Sequence, residues 1–228
     1  MFKEFFMVFS LIIIHELGHL TMAVYYKWNL DKIAVYPFGG CVKFNERLTK
    51  PLKEEFLILL SGPLAQMIFF LFVSFLEMNG LITYRNFLLF KSYHYTLLIF
   101  NLLPIYPLDG GKILNIFLNA MFPYKKGNKL VIIISFILLI GSVFLYQNIN
   151  FVLMAILLLS ELFIYLKRQP FLYNTLLLEK YLKNNDYKKV KIIPNKDLMY
   201  KEKRHIILYK NKYITEKDYL KQRFKVMK

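Results

Sequence analysis

Long apolar blocks separated by short basic connections set the rhythm of this chain. The blocks run from about Phe5 to Tyr26, Phe56 to Leu76, Phe87 to the prolines Pro104 and Pro107, Leu130 to Tyr146, and Phe151 to Leu166. They lack the period-2 alternation of a half-buried strand and the narrow stripe of a surface helix, and they approach the length needed to cross a bilayer. Five membrane-spanning helices are therefore predicted. Between the first two blocks, IAVYPFGGCV alternates around Gly39 and Gly40 and predicts a short interfacial hairpin or re-entrant pair of strands. After the third block, KILNIFLNAMF is too short to span and reads as a short helix. The polar turn QNIN makes the last two blocks a helical pair. The fold class expected is an all-α polytopic membrane protein, a helical bundle with one broken helix and a small hairpin.

Basic residues give the bundle a direction. Lys27, Lys32, Lys43, Arg47, Lys50 and Lys53 follow the first block, Lys125, Lys126 and Lys129 precede the fourth, and Lys167 and Arg168 follow the fifth. With one crossing per block, all three groups fall on one side, and positive charge marks that side as cytoplasmic. The opposite connections, EMNGLITYR and QNIN, hold one basic residue between them. Residues 1–166 thus form a transmembrane core with its short N-terminus outside. Residues 167–228 form a short basic cytoplasmic tail in which an amphipathic stretch, FLYNTLLLEKYL, precedes the β-like runs HIILY and KYIT.

Composition narrows the chemistry. The chain has 228 residues and a formal net charge of +16, and lipid-facing positive charge explains that balance without a nucleic acid partner. Cys41 is the single cysteine, which excludes an intramolecular disulfide and a cysteine-built metal site. No histidine adjoins it to lower its pKa, so it reads as a small apolar residue. The first block continues through HELGHLTMAVYY without a small-residue cleavage pattern, and the expectation is that it is retained.

HELGHL sits inside that first block. Residues four apart on a helix share a face, so His15 and His19 can present two imidazoles to one metal ion, with Glu16 beside them as a proton acceptor for water rather than as a ligand. Two imidazoles and a carboxylate inside an apolar span are costly unless an ion, a cavity or a partner compensates them. A zinc site wants a third protein ligand. Glu54 and Glu55 are available but sit among lysines at a membrane edge, a setting that explains them as surface charge. Asp109 is the better choice: it lies in NLLPIYPLDGG, where Pro104 and Pro107 interrupt the helix and Gly110 and Gly111 permit close backbone approach. Its alternative role is the N-cap of KILNIFLNAMF. His94, in KSYHYTLL, reads as a hydrogen-bonded interhelical histidine, His205 as a structural or exposed tail residue, and Gln66 of SGPLAQ as a polar contact across the bundle.

HELGHL, GGCV, SGPLAQ and NLLPIYPLDGGK, in this order, resemble the site-2 protease family of intramembrane zinc metalloproteases, and within it the bacterial stage IV sporulation proteases of the FB type. The resemblance covers about residues 5–170. It implies a zinc (Zn2+) site between the first and third segments, held by His15, His19 and Asp109, with Glu16 catalytic. It further implies that Asn101 contacts substrate or the oxyanion and that Pro107 shapes the cleft; Gly39 and Gly40 suit either strand addition by an unwound substrate or a structural hairpin. The activity expected is hydrolysis of peptide bonds in membrane-associated proteins near the cytoplasmic face of a bacterial cell membrane. A sporulation pro-sigma factor is the substrate this resemblance suggests, with membrane inhibitor or regulatory proteins as further partners. Sporulation-type members usually carry one more span before the zinc helix and a paired nucleotide-sensing domain after the last span. Against that pattern, residues 167–228 are expected to be a remnant of the regulatory domain. Two other classes fit parts of the sequence: a divalent-metal transporter, which would need ionisable residues on successive helices, and an inactive scaffold, which would not need an intact HExxH.

Overall fold

The computed structural model describes residues 2–28, 30–36, 39–44, 48–145, 148–182, 187, 189–209 and 212–225. These fold into two compact units, residues 1–46 with 53–103, and residues 47–52 with 104–228.

In the first unit, α1 (Phe2–Tyr25) leads into an antiparallel pair, β1 (Leu30–Tyr36) and β2 (Gly39–Phe44), then α2 (Leu52–Met78) and α3 (Tyr84–Leu102). The pair is the expected hairpin: Tyr36 opposes Gly39 and Val35 opposes Gly40, with the register shifting between Leu30 and Lys32. Leu11, Val73 and Phe90 form the buried apolar cluster, with Met7, Phe69, Phe70 and Phe87 packed against it. Large apolar side chains such as Leu71, Phe72 and Phe75 stay exposed on α2, as lipid-facing positions do. Pro63 lies within α2 without ending it.

In the second unit, α4 (Asp109–Met121), α5 (Tyr124–Leu145) and α6 (Ile149–Leu182) precede β3 (Val190–Ile193), a 3-10 turn at Lys196–Leu198, β4 (Arg204–Tyr209), β5 (Lys212–Thr215) and α7 (Glu216–Lys225). The last three strands form one sheet in the order β3-β4-β5, parallel then antiparallel. Helix α6 runs unbroken through residues 166 and 167, with Pro170 inside it. The reason lies beyond the proline: Tyr173, Leu176, Leu177 and Lys180 are buried at helical spacing, so packing on the tail draws the helix onward. Tyr124, Ile193, Met199, Ile207 and Leu220 complete that apolar cluster. The segment before α2 joins it through Glu179, whose carboxylate accepts from the backbone and hydroxyl of Thr49 at 3.0 and 3.1 Å.

Among the described residues, four helices are long and apolar enough to cross a membrane: Phe2–Tyr25, Leu52–Met78, Tyr124–Phe144 and Ile149–Leu182. The protein is therefore a multi-pass membrane protein, an all-α bundle with a broken helix and a small hairpin, to which the tail adds its sheet. Helix α3 is not one of the four, because Arg85, Lys91 and the Tyr93-His94-Tyr95 run reduce its apolar character. Its 19 residues nevertheless measure about 28 Å, close to the hydrocarbon thickness.

Candidate metal centre

HELGHL occupies the middle of α1, and SGPLAQ on α2 is shaped to receive it. A Cβ at Gly18 would overlap the Ser61 carbonyl and lie 2.7 Å from the Ala65 Cβ and 2.9 Å from the Gly62 Cα, so backbone meets backbone there. A Cβ at Gly62 would overlap the imidazole of His19. Both histidines are buried.

Their tautomers follow from what their outer nitrogens face. His19 Nδ1 lies 2.8 Å from the carbonyl of Ile58, which only accepts, so the proton is on Nδ1. Gln66 Nε2 donates to the backbone carbonyl of His94 at 3.0 Å, which turns Gln66 Oε1 toward His15 Nδ1 at 3.1 Å. That nitrogen too must carry the proton. Each imidazole therefore directs an Nε2 lone pair inward, and the two Nε2 atoms stand 3.1 Å apart. Two lone pairs at that separation repel unless a cation meets them. Imidazole nitrogens bound to one tetrahedral zinc stand about 3.3 Å apart, given bonds of about 2.0–2.1 Å. The donor set therefore fits zinc.

Asp109 opens α4 as its first residue; Leu108 is the N-cap, so the capping alternative for the aspartate does not hold. The turn before it is tight. The Tyr106–Pro107 peptide is cis, and a Cβ at Gly111 would overlap the backbone of Ile105 and Tyr106. Asp109 is buried, with Lys112 Nζ 3.3 Å from its Oδ1. The ligand atoms of His15, His19 and Asp109 all lie within 4.8 Å of one another. Among the described residues they are the one group of three such side chains able to hold a metal ion.

The remaining expected residues stand as follows. Glu16 is half-buried on α1, adjacent to His15, and Asn101 is half-buried in the last turn of α3. Pro107 follows the cis peptide, and Gly39 and Gly40 begin β2. Glu54 accepts a hydrogen bond from Trp28 Nε1 at 3.0 Å. His94 is buried and stacks on Phe70 with centroids 4.4 Å apart, as an interhelical histidine. Gln66 carries more than the polar contact expected of it. Its position in an apolar helix was the available signal, but its partners are 28 and 51 residues away.

Fold and donor set together define an intramembrane metalloprotease. The model of peptidase family M50 matches residues 4–92 and 76–142, and the chain belongs to that family, the zinc-dependent site-2 protease type of intramembrane endopeptidase acting on membrane-embedded protein. Among relatives, it is 34% identical over 195 residues to Stage IV sporulation protein FB of Bacillus subtilis (strain 168), an alignment covering 82% of this chain and 67% of that protein. Zinc metalloprotease MJ0392 of Methanocaldococcus jannaschii is 31% identical over 129 residues, 55% of this chain and 37% of the relative. The solved Site-2 Protease from Methanocaldococcus jannaschii superposes with a TM-score of 0.56 at 27% identity, covering 70% of this chain and 76% of that one.

Proposed function

We propose that His15, His19 and Asp109 hold the zinc ion and that Glu16 is the general base and acid of peptide hydrolysis. The observation that carries the reading is the pair of outward Nδ1 anchors, which leave two Nε2 lone pairs facing one point beside a buried carboxylate. Zinc, when bound, supplies a Lewis acid that polarises a carbonyl and acidifies water. Glu16 takes the proton from attacking water and returns it to the leaving amine. Asn101 donates its side-chain amide to the oxyanion or to substrate backbone. Pro107 keeps the chain out of helix where Asp109 must turn in.

A helical substrate's carbonyls are already hydrogen-bonded, so the scissile segment must be extended. β2, beginning at Gly39 and Gly40, offers it backbone partners by strand addition. Helix α3, with its His94 buried against Phe70, is the fifth crossing, which puts residues 167–228 on the cytoplasmic side as a remnant regulatory domain. The substrates are then membrane-associated proteins cut near the cytoplasmic face of a bacterial cell membrane. Likeness to the sporulation protein favours a pro-sigma factor and membrane-bound inhibitory partners.

The test compares membrane proteomes of cells producing the native chain and Glu16→Gln. Glu16→Gln should keep zinc while cleavage falls by about 10²–10⁴-fold, so that an uncut precursor accumulates. His15→Ala and Asp109→Ala should lose both zinc and cleavage. Metal flux that survives Glu16→Gln, with no protein cut by either form, would replace this reading with transport.

A further inference from the structure

The second unit contains a ring of buried and half-buried amides that the chemistry above does not use. Tyr165 Oη on α6 accepts from Asn115 Nδ2 on α4 at 2.8 Å. Asn115 Oδ1 accepts from Asn119 Nδ2, which also donates to Asn128 Oδ1 on α5 at 2.9 Å. Asn128 Nδ2 donates to Gln169 Oε1 at 2.9 Å, and Gln169 Nε2 returns to the backbone carbonyl of Tyr165 at 3.4 Å. Asn119 and Asn128 are almost wholly buried, in helices whose other side chains are chiefly apolar. Asn119 Oδ1 has no partner among the described residues, but the five hydrogen bonds this network does make tie α4, α5 and α6 together.

What it holds is Tyr165, and Tyr165 touches both arms of the aspartate turn. Its ring stacks on Tyr106, three residues before Asp109, with centroids 3.9 Å apart and planes 20° apart. Its hydroxyl binds Asn115, six residues after Asp109. The Tyr106 N–H is separately tied to the buried hydroxyl of Ser135 at 2.9 Å. We infer that Tyr165, oriented by this amide ring, is a positioning residue that sets where the Asp109 carboxylate stands relative to the metal. The inference rests on Asp109 being a zinc ligand.

The experiment uses the full chain purified in lipid nanodiscs, loaded with Co2+ for its visible ligand-field bands or with Zn2+ for affinity by chelator competition. Tyr165→Leu should weaken zinc binding by about 10–100-fold, the range for groups that orient metal ligands, and should shift the cobalt bands. Tyr165→Phe keeps the stack but loses the hydroxyl that Asn115 holds, and should fall between Tyr165→Leu and the native chain in both. Ser135→Ala, a smaller change in the same turn, should shift the bands in the same direction and serves where Tyr165→Leu does not fold. Asp109→Ala is the control. If it weakens binding while folded Tyr165→Leu and Ser135→Ala bind and absorb like the native chain, the positioning role is wrong and the ligand assignment stands. If Asp109→Ala itself binds zinc as tightly as the native chain, the ligand assignment fails and this inference fails with it.

Discussion

At the scale of single residues, Gln66 controls a proton that belongs to another side chain. It is 1% exposed, its amide nitrogen is committed to the His94 carbonyl, and its oxygen fixes His15 as the Nδ1–H tautomer. Gln66→Leu preserves most of the volume but removes the acceptor. An unmet buried N–H costs about 1–3 kcal/mol, and in the metal-free site the ring then gains by moving its proton to Nε2, where the His19 Nε2 lone pair accepts it and the metal must displace it. The expected result is a chain that folds and inserts but binds zinc about 10–100-fold more weakly, measured by chelator competition; native affinity in Gln66→Leu would show that the hydrogen bond does not set the tautomer. The His15, His19 and Asp109 cluster was legible in the sequence because its cues are local: His15 and His19 are one helical turn apart, and two prolines and two glycines mark the break beside Asp109. The role of Gln66 was not, since a glutamine in an apolar helix announces a partner without naming it.

At the scale of elements, α1 and α2 are joined by the absence of side chains. With backbone touching backbone at Gly18 and Gly62, the carbonyl of Ile58 comes within reach of His19. Gly18→Val should force the helices apart, and overpacking of this kind costs about 1–3 kcal/mol in stability. Because the same displacement withdraws Ile58 and Gln66 from the imidazoles, zinc content should fall more steeply than the melting temperature of the detergent-solubilised protein. A variant that melts lower but retains full zinc would mean that the contact serves packing alone. Four of the five expected spans were readable from length and apolarity, and the hairpin from its alternation. The extension of α6 to Leu182 was not, because Pro170 and the charged Lys167-Arg168 pair read locally as an end. Only the tail that accepts Tyr173, Leu176 and Leu177 makes continuation favourable, and that surface is made by residues further along the chain.

At the scale of the whole molecule, the tail holds 18 of the 31 basic residues but only 6 of the 15 acidic ones, and yet it folds around a buried charged cluster. Glu216 accepts from His205 Nδ1 at 2.7 Å and from the His205 backbone N–H at 2.8 Å, and its other oxygen meets Lys180 Nζ at 3.2 Å. The Tyr200 N–H donates to His205 Nε2 at 3.0 Å, so the imidazole must be neutral to complete the cluster. Burial, aided by the charges of Lys180 and Lys203, holds His205 below its usual 6.5, against the upward pull of Glu216. Burial alone would raise Glu216, but its hydrogen bond to His205 and the nearby Lys180 outweigh this and hold it below its usual 4.5. For both groups the unfolded tail binds protons more readily than the folded one. The histidine's share of stability is present above about pH 6.5 and is lost as pH falls toward its folded value; the glutamate's share is lost as pH falls through its own, lower value. Acidification therefore loosens the tail, by no more than about 1.4 kcal/mol per pH unit while one proton is taken up. Hydrogen exchange at Ile206 and Ile207 should be flat above pH 7, once corrected for intrinsic rate, and should accelerate progressively from pH 6.5 to 5. Protection that is constant across that interval would mean that His205 is not what the tail must keep neutral, and a protonated imidazole would then have to be reconciled with the Tyr200 N–H pointing at it.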